Sequence, residues 1–363
     1  MAQIAFFSSS RNLPHTLRKR GARENDREAP RLFKSGDAAF FVPKNAFFKD
    51  GRYAVACSGT LSCKQALREM LSERGVNERT ENDARLLCRA FACFGEKLPE
   101  KIQGSYALLV YDCVDRAIYG FCDKTGSKTL YYRLSESGIS VATEPSQIAN
   151  DPYACDKALR AVLRTYLTVG YAVGEGTFYS EVQRLPQGHS LLWQGGKFSL
   201  YKWAEYTFAP ADLECHSRLE GALKNALQAV PKESALLLSG SVFSSLMAAF
   251  SKKEKAVSLS FEGLAQTAIP SRLADLFSLK HETLAFTSSD CLQGAFELAK
   301  KSPTPLADPA ALSYYLLAKH TSAPIACAEG AAELYGGHRD YYVEEIAKQS
   351  RPTLTRYFTL KQS

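Results

Sequence analysis

Residues 235–246 read Ala-Leu-Leu-Leu-Ser-Gly-Ser-Val-Phe-Ser-Ser-Leu, an apolar run, a Gly/Ser turn and the first turn of a helix. Strand, small-residue turn and helix in that order aim backbone N–H groups at one point, which is how a chain cradles a phosphate. Ser239, Gly240, Ser241, Ser244 and Ser245 are therefore candidate nucleotide-binding residues. The plainer reading is a tight connection whose serines cap the following helix. Downstream, apolar runs at 256–261, 282–286 and 324–328 alternate with helical spacing at 244–252, 270–277, 290–301 and 308–320. Such alternation predicts a parallel sheet with helices on both faces, an α/β nucleotide-binding domain.

The pattern upstream is different. Short apolar or alternating runs at 38–41, 53–57, 106–111, 117–122, 139–142 and 190–193 predict strands, 63–72 and 82–94 carry helical spacing, and Gly195-Gly196 marks a hairpin. The change of pattern near Pro210 and the polar stretch 212–214 divides the chain into an α+β domain at 1–205 and an α/β domain at 212–363.

Composition narrows the class further. With 363 residues, 45% apolar and 23% charged, the chain has room for two ordinary cores, and no apolar stretch approaches the ~20 residues of a membrane helix. A net charge of +7 is mild when spread over this length and gives only weak support for contact with nucleic acid or an anionic surface, so nucleic acid is not the expected partner. The 10 cysteines form no C-x-x-C pair and no zinc-type spacing, so they read as reduced thiols of a cytoplasmic protein. Five Arg and Lys residues precede the first acid, Glu24, and read as a basic surface loop in preference to a transit peptide.

Further blocks carry a resemblance. Gly104 to Asp112 (Gly-Ser-Tyr-Ala-Leu-Leu-Val-Tyr-Asp), Asp123 to Tyr132 (Asp-Lys-Thr-Gly-Ser-Lys-Thr-Leu-Tyr-Tyr), Arg184 to His189 (Arg-Leu-Pro-Gln-Gly-His) and Cys327 to Gly337 (Cys-Ala-Glu-Gly-Ala-Ala-Glu-Leu-Tyr-Gly-Gly) follow one another in order. Together with the 235–246 loop they resemble the asparagine synthetase family, including its β-lactam-forming relatives. The resemblance implies an N-terminal-nucleophile (Ntn) hydrolase-like sandwich followed by a parallel sheet of the adenine nucleotide α-hydrolase type. It also implies glutamine-dependent, ATP-dependent amide formation, and it adds Glu329 and Gly330 to the nucleotide-binding candidates.

The departures fall where the family's chemistry sits. Its Ser-Gly-Gly-x-Asp-Ser loop places a magnesium ligand where this chain has Phe243, and Ala332 stands at the second acidic position. Its nucleophilic N-terminal cysteine corresponds to Ala2, and its Asn-Gly-Glu-x-x-Asn substrate loop to Ser58-Gly59-Thr60-Leu61-Ser62-Cys63, where only the glycine remains. Asp83 matches the acid that binds the substrate amine, but the Glu two residues later is Arg85. The sequence therefore predicts no catalytic residue and no metal ligand, with ATP or AMP as the expected cofactor and magnesium disfavoured. The leading expectation is a degenerate family member acting as a binding or regulatory partner. The alternative is an ATP-dependent amide-forming ligase with a nitrogen donor other than glutamine. Ending at Ser363, the chain also predicts a homo-oligomer or protein partner contacting Tyr341, Tyr342, Phe358 and Leu360.

Overall fold

Strands whose residues are apolar on both faces belong between layers, and the first unit is built from such strands. A computed structural model describes residues 3–8, 30–35, 38–149, 157–207, 215–228, 230–251, 253–264, 268–302 and 304–337. Ala2, the basic segment 9–29, and Tyr341, Tyr342, Phe358 and Leu360 lie outside the described residues. The chain divides between Ala209 and Pro210, with Ser302–Asp308 grouped with the first unit.

In the first unit, β1 (Ala5–Phe7), β2 (Pro30–Ser35), β3 (Ala38–Pro43), β8 (Tyr131–Ser135), β9 (Gly138–Ala142) and β10 (Gln183–Arg184) form one antiparallel sheet, in the order β10-β8-β9-β1-β3-β2. A second consists of β4 (Phe47–Asp50), β5 (Tyr53–Leu61), β6 (Gly104–Asp112), β7 (Ala117–Cys122), β11 (His189–Gln194) and β12 (Lys197–Lys202), in the order β12-β11-β7-β6-β5-β4. Successive side chains alternate between faces. Ile4 and Phe6 of the first sheet accordingly meet Ala54, Ala56, Ala107 and Leu109 of the second in a shared core. Val55, Leu108 and Val110 point the other way, onto Leu67 and Leu71 of α1 (Lys64–Ser72) and Leu87 and Phe91 of α2 (Asp83–Phe94). The first unit thus stacks a layer of helices on two packed antiparallel sheets.

The second unit contains β13 (Ala235–Leu237), β14 (Lys255–Phe261), β15 (Lys280–Phe286) and β16 (Ile325–Ala326), all parallel, in the order β15-β14-β13-β16. Leu227, Leu236, Leu238, Met247, Ala256 and Ala274 form its core.

Pattern reading missed two helices, α3 (Lys157–Val169) and α4 (Cys215–Gln228). In α4 the residues 219–226 are exposed except Leu223, so no continuous apolar stripe announces the helix. It also missed the strands β2, β4, β8 and β10, and it ended β5 at residue 57 where the strand continues to Leu61. That extension pairs Gly59 with Tyr106 and Leu61 with Gly104. A Cβ on Gly59 (φ +118°) would stand 2.0 Å from the Ser105 carbonyl oxygen, so glycine alone permits this backbone approach. The remaining helices are α5 (Val242–Phe250), α6 (Ile269–Leu276), α7 (Ser288–Lys301), α8 (Ala310–His320) and α9 (Ala331–Leu334). Among the described residues no helix is long and apolar enough to cross a membrane.

Candidate functional site

In the second unit the strand order reverses between β14 and β16, which lie on opposite sides of β13. Ligands of open α/β sheets bind in the crevice outside the carboxyl ends of the strands at such a switch point. The Ser239–Ser245 loop leaves β13 there, and Glu329 and Gly330 leave the adjacent β16. Two stretches about ninety residues apart in sequence are thus brought to one edge by the pairing of Leu236 with Ala326.

The loop's shape is set by its small residues. Gly240 has φ +83°, and Ser241 caps α5 by accepting a hydrogen bond from the Ser244 amide at 3.2 Å. This cap starts the helix at Val242, two residues before the spacing predicts. Ser239 and Ser241 are exposed, whereas Ser244 is 2% exposed and its hydroxyl donates to the Ser241 carbonyl at 3.0 Å. The Ser245 hydroxyl donates to the same carbonyl at 2.8 Å. All four predicted hydroxyls bond within the loop, Ser239 donating to Ser241 at 3.1 Å, but those of Ser239 and Ser241 belong to exposed residues.

Beside the loop lies a cavity of about 380 Å³, lined by Leu238, Ser239, Ser258, Ser260, His281 and Tyr314 among others. The Ser258 hydroxyl donates to the Leu238 carbonyl at 2.6 Å, so the His281 Nε2–H donates to it at 2.8 Å. Tyr314 donates to Glu329; burial first, and that hydrogen bond second, raise its hydroxyl pKa well above the usual value. Of residues 314–317 in α8, only Leu316 and Leu317 are buried. The alignment of β14 with β15 is what carries His281 to Ser258, and no local pattern signals it.

The two positions matched to metal ligands come together without a ligand between them. Phe243 stacks on Tyr335 with ring centroids 5.8 Å apart. A Cβ built on Gly337 would lie 3.4 Å from the Ala332 Cβ and 3.5 Å from Phe243 Cε2, so both side chains border one point. Magnesium takes hard anionic oxygen donors, and hydrocarbon fills this place. Among the described residues no group of three or more His, Cys, Asp or Glu is arranged to hold a metal. The residues do not fit magnesium here.

The first unit has its own cavity, about 580 Å³, lined by Cys57, Gly59, Thr60, Asn82, Asp83 and Lys128 among others. Asp83, in the first turn of α2, pairs with Lys64 Nζ at 2.7 Å. Arg85 pairs with Glu78 at 3.0 Å. The Cys57 thiol is pushed up to about 12 by burial, with the Asp83 charge adding to the shift, so it remains protonated and a poor nucleophile. Nearby, Asp123 accepts from the Tyr106, Thr125, Ser127 and Lys128 amides and from the Thr125 and Ser127 hydroxyls. Burial alone would raise its pKa; the hydrogen bonds outweigh burial and hold it below the usual carboxylate value. Asp123 thus orders the wall of this cavity.

A glutamine amidotransferase domain family matches residues 45–204, and an asparagine synthase family matches residues 214–362. The glutamine-hydrolysing asparagine synthetase 1 of Bacillus subtilis strain 168 is 24% identical over 315 residues, covering 81% of this chain and 49% of its own. The chain belongs to the asparagine synthetase family. A putative glutamine-hydrolysing asparagine synthetase of Mycobacterium tuberculosis H37Rv is 21% identical over 316 residues, covering 80% of this chain and 48% of its own. This family member therefore spans about half the length of the curated relatives it matches. Among solved structures, the glutamine phosphoribosylpyrophosphate amidotransferase of B. subtilis, complexed with ADP and GMP, aligns over 78% of this chain and 65% of its own. Its TM-score is 0.36 and its identity 11%. A glutamine aminotransferase class-II domain protein of Silicibacter pomeroyi aligns over 56% and 92% with TM-score 0.32 and 12% identity.

Proposed function

We propose that this asparagine synthetase-family chain binds without catalysing: it takes an adenine nucleotide, ATP or AMP, weakly and without help from magnesium, and acts as a binding or regulatory partner. The observation that carries this reading is the Phe243–Tyr335 stack with Ala332 beside it, which puts carbon where the family resemblance implies two metal-binding carboxylates. A bridging cation contributes several kcal/mol of charge stabilisation to phosphate chemistry, and each ~1.4 kcal/mol is tenfold in rate. Without ligands for it, nucleotide phosphates would meet only the loop's amides and the hydroxyls of Ser239 and Ser241. The same reading extends to the first unit. With Asp83 already neutralised by Lys64, the cavity offers no uncompensated acid at the position matched to the substrate-amine site.

The test is a thermal-shift titration of the chain with ATP, AMP and pyrophosphate, each with and without magnesium, because a ligand of the folded state raises its stability by mass action. The expected result is a small shift with nucleotide that magnesium leaves unchanged. A shift with ATP that grows strongly with magnesium would sink the reading. It would favour the alternative, an ATP-dependent amide-forming ligase with a nitrogen donor other than glutamine.

A further inference from the structure

A cleft of the second unit lies at the end of the sheet opposite the Ser239–Ser245 loop. It occupies about 960 Å³ around the residues that enter β13 and β14, a size that suits a ligand of several rings or a medium-length chain. Its lining combines an apolar floor with a basic rim. Leu227, Val230 and Phe250 supply the floor; Lys224, Lys232, Lys253 and Lys255 stand around it, against two acids, Glu233 and Glu254.

The four lysines are not equivalent. Lys224 pairs with Glu220 at 2.5 Å and lies 5.3 Å from the centroid of the Phe250 ring, so it serves α4 and the floor. Lys253 donates to the Val230 and Pro231 carbonyls and pins the turn that forms one lip. Lys232 and Lys255 are exposed and have no ion pair among the described residues. Two uncommitted ammonium groups above an apolar floor complement one kind of small molecule, with a hydrophobic body to cover the floor and an anionic group for the rim.

We propose that this cleft is a second ligand site, separate from the nucleotide site, and that it takes a small amphipathic carboxylate. Leu227, Val230 and Phe250 hold the apolar body, and Lys232 and Lys255 hold the carboxylate. The site does not depend on the reading of the phosphate loop, since the two lie at opposite ends of β13.

The experiment is isothermal titration calorimetry of the full chain with 4-phenylbutyrate, its neutral amide 4-phenylbutyramide and the cation 4-phenylbutylamine, with and without saturating AMP. The carboxylate is expected to bind at least about tenfold more tightly than the amide or the amine, as two charge-assisted hydrogen bonds would give. That preference should disappear in the double variant Lys232→Ala with Lys255→Ala. Both residues are exposed, so the variant should keep the wild-type melting temperature, and AMP should leave carboxylate binding unchanged. Equal binding of the three probes, binding of none, displacement by AMP, or an unaltered carboxylate affinity in a folded double variant would each overturn the proposal.

Discussion

Replacing Phe243 and Ala332 together by Asp should turn a magnesium-indifferent domain into one that needs the ion. Removing the Phe243 ring breaks its stack on Tyr335, worth about 0.5–1.5 kcal/mol beyond area burial. The two new carboxylates would face the same point beside Gly337. Two like charges about 6 Å apart repel by about 2–3 kcal/mol at an effective dielectric constant near 20. The doubly substituted protein in EDTA should therefore be about 3 kcal/mol less stable than wild type, a fall in melting temperature of roughly 6–12 °C for a unit of this size. Magnesium at millimolar concentration should recover most of the repulsive part, and ATP binding should become tighter with the ion present. Differential scanning fluorimetry with EDTA, magnesium, ATP and magnesium-ATP measures all of this, with Phe243→Asp alone as the control expected to respond weakly. A double variant whose melting temperature and ATP affinity ignore magnesium would refute the claim that these positions face one another as a vacated ligand pair.

Three further outcomes are expected. Glutamine should not be hydrolysed, and Lys64→Gln, which uncovers Asp83, should leave that unchanged; glutamate release above a heat-inactivated control would show that the first cavity is still a glutaminase site. Asp123→Asn should cost about 2 kcal/mol in urea denaturation, the value of hydrogen bonds to a charged acceptor. Because folding lowers the Asp123 pKa, that contribution is fully present above the unfolded value near 4 and is lost as pH falls through the folded one; a difference between the two proteins that is undiminished in acid would contradict it. Gly59→Ala should destabilise the first unit by about 3 kcal/mol or more, since both its φ and its contact with the Ser105 carbonyl exclude a methyl group. A wild-type urea midpoint in that variant would show that the β5–β6 approach is wrongly described.

Much of the architecture was legible because it is written in short-range pattern. Strand β13, the Gly/Ser turn and α5 follow from an apolar run, a residue free to take positive φ and a serine cap within twelve positions. The resemblance carried by the blocks around Gly104, Asp123, Arg184 and Cys327 agrees with the two matched families. Weakly patterned elements escaped notice: α4 is mostly exposed, and β2 and β4 are edge strands of their sheets. Exposed helices and edge strands bury too little to leave a clear periodicity.

By itself the sequence determined most of the strands and helices, the strand–turn–helix at 235–246, and the identities of Phe243, Ala332 and Arg85 at positions where the resemblance implies other chemistry. Tertiary structure decided what those identities amount to. That Phe243 stacks on Tyr335, that Lys64 pairs with Asp83 and that His281 donates to Ser258 all depend on how separate elements pack and align. Local propensity acts over a few residues. Contacts between positions 19 to 92 residues apart arise only when the chain has closed its layers and burial has chosen which side chains must meet.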